Sequence, residues 1–427
     1  MLTLYNAALV PLRAAATLRA AWAARGPQRA LEWEERRARK LPSIEPDGVW
    51  IHGASVGEVK LVALVARAIR ARRPAIPVAA SCVTRTGRAL LPGPPVADAA
   101  FFLPLDFRGL PGRVLDAVRP RALVLIETEL WPNLLHEAAE RSVPVLVVNG
   151  RLAPERMVWY RRLARLYRPL VPALAGVGAQ SEEDARRFIE IGVPRERVGV
   201  TGNLKYDLPA PDADPGRLRK RFGLDLDTPV LVAGSTGEGE DGAVLDAFQS
   251  VRRRHPRAFL VLAPRHVERA DQIEKEAASR GLTLARLAEG TRGAGARDGL
   301  LVDTLGELAG LYTVATAAFV GGSLVPIGGH NVLEPAAAGI PVLFGPYTHH
   351  VEEPARALER CGGALRVKDA AELGAAWSAL LSDPDRRSRM TEGAAALLRA
   401  SGGAIERSVD LVLSVVRDGL PAAAGSR

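Results

Sequence analysis

Cysteine is nearly absent: Cys82 and Cys361 are the only two in 427 residues. So wide a separation gives neither a disulfide framework nor a CxxC metal pair, and it fits a reducing location on the cytoplasmic side. Long apolar runs are missing too. No stretch of about 18 uncharged apolar residues occurs, so a membrane-spanning helix is not expected. Lysine is scarce, six residues against 51 arginines, and aromatics are only 5%. The arginines are dispersed and no RNA or DNA module is present, so nucleic acid is the weakest of the anionic partners that a net charge of +9 allows. A codon bias toward arginine and alanine is the alternative source of that charge.

What is there is globular: 48% hydrophobic and 25% charged residues can bury sizeable cores. Residues 1–24 are apolar but broken by Arg13 and Arg19, and no charged region precedes them as in a signal peptide. Basic residues continue through Arg36, Arg37, Arg39 and Lys40. This pattern predicts, over residues 1–40, an interfacial anchor with Leu, Val and Trp22 in the lipid boundary and arginines reaching lipid phosphates. An amphipathic helix packed on the protein is the alternative.

After residue 40, β-branched runs alternate with helical patterns, as in βαβ units. Strands are expected at 49–52, 77–81, 122–126, 143–148 and 177–180, then at 230–233, 259–262, 300–302, 318–320 and 341–344. Between the two sets lies a Pro- and Asp-rich linker at 206–216. The expected organisation is α/β: a Rossmann-like domain over 41–207 and a second over 208–403, both doubly wound and facing a cleft. A C-terminal helix and tail, 404–427, is free to return to the first domain. Ligands of such sheets bind beyond the carboxyl ends of the strands.

In the first half, strand 49–52 runs into Gly53-Ala-Ser-Val-Gly57-Glu58. Ser55-x-x-Glu58 reads as a capping box. The same carboxylate, beside two glycines that let a substrate approach, is equally placed to take a proton from a hydroxyl. Strand 122–126 ends in Glu127-Thr-Glu129-Leu-Trp131-Pro-Asn133, where two carboxylates at a strand terminus suggest a site. Ser181-Glu-Glu-Asp184 reads as a helix N-cap. Gly202-Asn-Leu-Lys205 closes the half, and Lys205 stands out in a lysine-poor chain.

In the second half, Gly234-Ser235-Thr236-Gly237-Glu-Gly-Glu240 is a glycine-rich turn before a helix, able to offer amides to an anion. It matches neither GxxxxGK[ST] nor GxGxxG. Pro264-Arg265-His266 puts a guanidinium at a strand end, suited to a phosphate. Gly328-Gly329-His330-Asn331-Val332-Leu333-Glu334 predicts a nucleotide site: phosphate at the thinned backbone, and Glu334 one turn on, accepting ribose hydroxyls.

Together, Gly53-Ala-Ser-Val-Gly-Glu58, Glu127-Thr-Glu-Leu-Trp-Pro-Asn133, Gly202-Asn-Leu-Lys205, Ala263-Pro-Arg-His266 and Gly328-Gly-His-Asn-Val-Leu-Glu334 resemble the bacterial 3-deoxy-D-manno-octulosonic acid (Kdo) transferases of lipopolysaccharide assembly. The resemblance spans nearly the whole chain. It implies a glycosyltransferase B fold, the donor CMP-Kdo, the lipid A precursor lipid IVA as acceptor, inversion at the anomeric carbon, and the cytoplasmic face of the inner membrane. It makes Glu58 the general base and Glu127 and Lys205 the transition-state stabilisers. CMP contacts fall on Pro264, Arg265, Leu305, Gly306, Glu307, Asn331, Val332, Leu333 and Glu334. Gly57, Ser235, Thr236, Gly329 and His330 are additional candidates.

No metal or other cofactor is expected. Asp212-Ala-Asp214 and Asp225-Leu-Asp227 have DxD spacing but sit in the linker and before a strand, where turn chemistry accounts for them, and His349-His350 lacks a third ligand. The competing readings are another nucleotide-sugar transferase or epimerase of the UDP-GlcNAc type, and a membrane-bound basic scaffold without catalysis.

Overall fold

A computed structural model describes residues 2–12, 27–207, 211–290 and 294–417. Arg13, Arg19 and Trp22 of the expected anchor, part of the linker and the Ala/Gly/Ser tail lie outside these described residues. The chain forms two compact units, Met1–Asp207 with Ser401–Arg427, and Leu208–Ala400.

The first unit holds a seven-stranded sheet in the order β3-β2-β1-β4-β5-β6-β7. Its strands are β1 (Val49–His52), β2 (Val78–Cys82), β3 (Ala99–Phe102), β4 (Ala122–Ile126), β5 (Val145–Gly150), β6 (Leu174–Ala179) and β7 (Val198–Val200). All pairings are parallel. Every residue of β1 and β4 is buried, as a sheet covered on both faces requires. The order reverses between β1 and β4, where His52 pairs with Leu125. The loops after these strands therefore leave side by side, at the kind of switch point where doubly wound sheets bind ligands.

The second unit repeats the plan with β8 (Val230–Thr236), β9 (Phe259–Pro264), β10 (Leu284–Arg286), β11 (Gly299–Leu301), β12 (Ala317–Val320), β13 (Val342–Phe344) and β14 (Ala364–Arg366). Its order is β10-β11-β9-β8-β12-β13-β14, again all parallel. Here the switch lies between β8 and β12, with Gly234 opposite Val320. Two such units are the glycosyltransferase B architecture.

Four strands escape the sequence reading, β3, β7, β10 and β14, and they are the four sheet edges. Each has only three or four residues and fewer neighbours to bury it, so the apolar run that marks a central strand never develops.

The helix Ala404–Arg417 belongs to the first unit. Val409, Val412, Leu413 and Val416, at helical spacing, share one core with Ile51, Val62, Val124 and Val148. Asp207 fixes its start: the carboxylate accepts the amides of Gly403 (2.7 Å) and Ile405 (2.5 Å).

At the other end, the helix Leu2–Ala8 is tied to the first unit. Tyr5 donates to Asp106 at 2.9 Å, and Asn6 and Asn133 exchange amide hydrogen bonds at 3.0 and 2.9 Å. Leu4, Val10 and Leu12 remain exposed. Arg36, in the basic run that follows the apolar segment, is turned inward. It pairs with Glu32 at 3.0 Å, donates to the Val83 carbonyl and lies 4.7 Å over the Phe102 ring. The carboxylates Glu32 and Glu35 are buried here, and an arginine is needed to compensate them. Among the described residues no helix is long and apolar enough to cross a membrane.

Candidate active site

Glu58 sits in the first turn of the helix Val56–Arg72, just beyond the end of β1. The capping box is formed: the Glu58 amide donates to Ser55 Oγ at 3.3 Å, and the Ser55 amide donates to Glu58 Oε1 at 3.3 Å. The carboxylate also accepts the Ser55 hydroxyl at 2.7 Å and the Ala54 amide at 2.8 Å. Capping does not exhaust the residue, because the group is buried and its chemistry is altered. Burial pushes its pKa up, against the Ser55 and Ala54 hydrogen bonds, and the negative charge of Glu127 adds to the rise. A carboxylate tuned upward is a better base near neutral pH.

Glu127 follows β4 with φ +63°, a left-handed backbone that turns the chain out of the sheet. Its Oε1 lies 3.4 Å from Lys205 Nζ. Lys205 is delivered by a short 3₁₀ turn, Leu204–Asp207. Two asparagines fix that turn: Asn149 Oδ1 accepts the Leu204 amide at 2.9 Å, and Asn203 Oδ1 accepts the Lys205 amide at 3.0 Å. A cation thus stands beside Glu127, whose charge in turn reaches Glu58, at the switch point of the first sheet. Gly57 lies next to Glu58 in the same turn, where an added Cβ would come no closer than 3.8 Å to Ser55 Oγ.

Glu129, the second carboxylate of the strand terminus expected to form a site, was given no role of its own, and His52 was not picked out. Glu129 accepts the Trp131 indole N–H at 2.8 Å, and its pKa is raised to about 7, chiefly by burial and then by the charge of Glu58. His52 ends β1, wholly buried, with Nε2 3.9 Å from Glu129; burial lowers its pKa to about 3. A histidine as the last residue of an apolar strand, directly before Gly53, was the available signal for it.

In the second unit the loops after β8 and β12 meet, but not as expected. The glycine-rich amides were to face an incoming anion. The protein's own Glu240 carboxylate, wholly buried, takes that place. It accepts the amides of Gly237 (2.6 Å), Gly322 (2.6 Å), Ser323 (2.8 Å) and Leu324 (2.6 Å). In the later loop, the amides of Gly328 and Gly329 donate to the Gly322 carbonyl at 3.0 and 2.6 Å, and that of His330 to Gly321 at 3.2 Å. The helix that follows, Leu333–Ala337, has only five residues. Buried amides must be satisfied in the folded chain itself, so these loops are closed by internal acceptors.

Side chains remain to meet an anion. Arg265, at the end of β9, is exposed, with its amide held by the Thr236 carbonyl at 3.0 Å. His330 has its pKa lowered by burial, then by the nearby charge of Arg265, with His350 and His266 adding to it. Arg265, His266, His330 and His350 are therefore grouped together, and the lowered pKa of His330 disfavours its charged form. Asn331 donates to Glu334 at 3.2 Å and accepts the Leu333 amide at 3.1 Å, ordering the Asn331–Glu334 turn, in which Val332 and Leu333 are buried. Leu305 and Gly306 are exposed on the loop after β11, with Glu307 half-buried beside them, and Pro264 is buried at the end of β9. Thr236 donates to Asp241 at 2.7 Å, and Ser235 takes φ +58° to reach it.

The two DxD pairs have structural partners. Asp214 caps the helix Pro215–Phe222 through Gly216 (2.8 Å) and Arg217 (3.2 Å), and Arg257 forks onto Asp227 at 2.8 and 2.9 Å. Among the described residues no three His, Cys, Asp or Glu side chains are grouped to hold a metal.

Residues 29–208 match a family model described as 3-deoxy-D-manno-octulosonic-acid transferase (kdotransferase). A 3-deoxy-D-manno-octulosonic acid transferase of Haemophilus influenzae is 34% identical over 380 residues, 86% of this chain and 87% of that protein. One from Bordetella pertussis is 35% identical over 88% of this chain and 89% of its own, and one from Aquifex aeolicus 32% identical over 78% and 86%. In fold, the chain is similar to a UDP-GlcNAc 2-epimerase from Neisseria meningitidis, with a TM-score of 0.58 at 13% identity over 87% of this chain and 100% of that one. The long relatives at a third identity, together with the acid–lysine cluster at the first switch point, make the chain a member of the 3-deoxy-D-manno-octulosonic acid (Kdo) transferase family, a glycosyltransferase.

Proposed function

We propose that the protein transfers Kdo from CMP-Kdo to the lipid A precursor lipid IVA, with inversion at the anomeric carbon, Glu58 acting as general base. The carrying observation is the buried Glu58 carboxylate, its pKa raised, beside the Glu127–Lys205 pair. An acceptor hydroxyl gives its proton to Glu58 as it attacks, a contribution of roughly 100- to 10,000-fold. The sugar leaving CMP passes through an oxocarbenium-like state. Lys205 and Glu127 stabilise the charges that develop, the lysine the negative and the carboxylate the positive.

On this reading CMP is held by Pro264, Arg265, Leu305, Gly306, Glu307 and Asn331 to Glu334, with Gly57, Ser235, Thr236, Gly329 and His330 as further candidates. With the amides of Gly237, Gly322 to Leu324 and Gly328 to His330 taken up internally, the exposed Arg265 guanidinium carries the electrostatic recognition of the phosphate. The protein works at the cytoplasmic face of the inner membrane. The exposed Leu4, Val10 and Leu12 support contact with lipid by the N-terminal segment. No metal ion is required, and activity is expected to persist in EDTA.

Incubating the protein with CMP-Kdo and lipid IVA tests the proposal. The expected product is heavier than the acceptor by whole Kdo residues, with an inverted anomeric centre by NMR. Transfer from a UDP-sugar in place of CMP-Kdo would overturn it.

A further inference from the structure

Two neighbouring strands of the first unit end in left-handed residues that are not glycine. Glu127, just after β4, has φ +63°, and Asn149, near the end of β5, has φ +58°. Backbones of this kind persist only where the surrounding contacts over-determine them. At Asn149 the pairing of β5 with β6 also shifts register, between Val147 and Gly150, so the residue stands outside the regular ladder. Its side chain is wholly buried. Its Oδ1 accepts the Leu204 amide at 2.9 Å, from a segment 55 positions further along the chain. Its own carbonyl accepts the Gln180 side-chain amide at 3.0 Å.

The same stretch of β5 holds the partner of Lys205. The Val148 carbonyl accepts the Glu127 amide at 3.0 Å, and the Arg151 carbonyl accepts the Thr128 hydroxyl. Consecutive residues of one strand thus tie down both sides of the pair in which Lys205 Nζ lies 3.4 Å from Glu127 Oε1. Leu204 is buried in the same core as Val148, so the turn stays attached if the Asn149 hydrogen bond is removed, and what changes is the aim of Lys205. Asn149 Nδ2 has no hydrogen-bond partner among the described residues. The fold uses the acceptor oxygen and the left-handed backbone, which asparagine tolerates, and leaves the donor idle.

We propose that Asn149 is a positioning residue for Kdo transfer: by holding the Leu204 amide, it sets Lys205 Nζ against Glu127 at the end of β4. This rests on the reading of Lys205 as a transition-state stabiliser. Asn149 touches no reacting atom, and its whole effect on the rate passes through the lysine.

The test is a double-mutant cycle on the full-length protein: Asn149→Gly, Lys205→Ala and the two combined, assayed for Kdo transfer, with thermal melts and CMP affinity measured on each. Asn149→Gly keeps the left-handed backbone and removes the acceptor. It should lower kcat roughly ten- to a hundredfold and leave CMP affinity unchanged. In the Lys205→Ala background the same substitution should change kcat by less than about twofold, because the group it misplaces is already gone. A purely structural residue would lower the rate equally in both backgrounds, and that result overturns the proposal. So does a full rate in folded Asn149→Gly when Lys205→Ala is slow. Asn149→Asp keeps the acceptor and gives up only the idle amino group, so it should recover most of the rate; a folded Asn149→Asp as slow as Asn149→Gly overturns the proposal too. If Lys205→Ala itself transfers at the full rate, the assignment of Lys205 fails instead. Should Asn149→Gly not fold, Asn149→Ser takes its place in the cycle, filling more of the space with an oxygen one bond too short for the Leu204 amide.

Discussion

Glu58 is both a helix cap and the proposed base, and two substitutions separate the roles. Glu58→Gln keeps an acceptor for the Ala54 and Ser55 amides, so its melting temperature should stay near that of the unaltered protein while transfer falls roughly 100- to 10,000-fold. Glu58→Ala removes the cap as well and should lower stability by a further 0.5–2 kcal/mol or so in denaturant titration. Neither should change CMP affinity. Its neighbours make stability depend on pH in opposite directions. The folded pKa of Glu129 is raised from 4.5 to about 7, so its contribution is complete below 4.5 and is lost as pH rises toward 7. That of His52 is lowered from 6.5 to about 3, so its contribution is complete above 6.5 and is lost as pH falls toward 3. Chemical denaturation across pH 3–7 should therefore show Glu129→Gln gaining relative stability at the upper end. A flat difference between the two proteins would contradict the burial of that carboxyl.

The loops of the second unit are held by a single side chain. Glu240 accepts four backbone amides from two loops, so Glu240→Ala strands buried donors at about 1–3 kcal/mol each. This variant should melt early or fail to accumulate. Glu240→Gln should be intermediate, since one amide oxygen replaces two carboxylate oxygens and its NH₂ faces donors. The glycines beside it are constrained by space as well as conformation. An added Cβ at Gly328, where φ is +113°, would lie 2.5 Å from both His349 Nε2 and His350 Nδ1. Gly328→Ala should accordingly weaken CMP binding in calorimetry, by displacing the histidines next to His330. The glycine pattern was legible in the sequence as a loop that matters. Its internal acceptor was not, because Glu240 lies more than eighty positions before three of the amides it holds.

The first unit is completed by the far end of the chain. Deleting residues 401–427 removes Val409, Val412 and Leu413 from its core, each worth about 1.5–3 kcal/mol. Their sum is comparable to the whole stability of a domain, so the truncated protein should be insoluble or unfolded by circular dichroism. Asp207→Ala, which frees only the helix start, should cost about 0.5–2 kcal/mol and leave the fold intact.

The alternation of apolar runs and helical periods was enough to identify two parallel α/β units and ten of their strands, because central strands and their covering helices carry local patterns of burial. The motifs at the strand ends, taken together and in order, were enough to indicate the Kdo transferase family, although each alone also has a plain structural use such as the Ser55–Glu58 cap. Tertiary structure alone decided the edge strands, which lack the burial that writes a pattern, and the inward turn of Arg36, set by the buried Glu32 and Glu35. It alone seated Glu240 in the amide nest and brought His52 against Glu129. Those contacts join residues distant in sequence, and a buried charge or imidazole takes its properties from the partners that folding places around it.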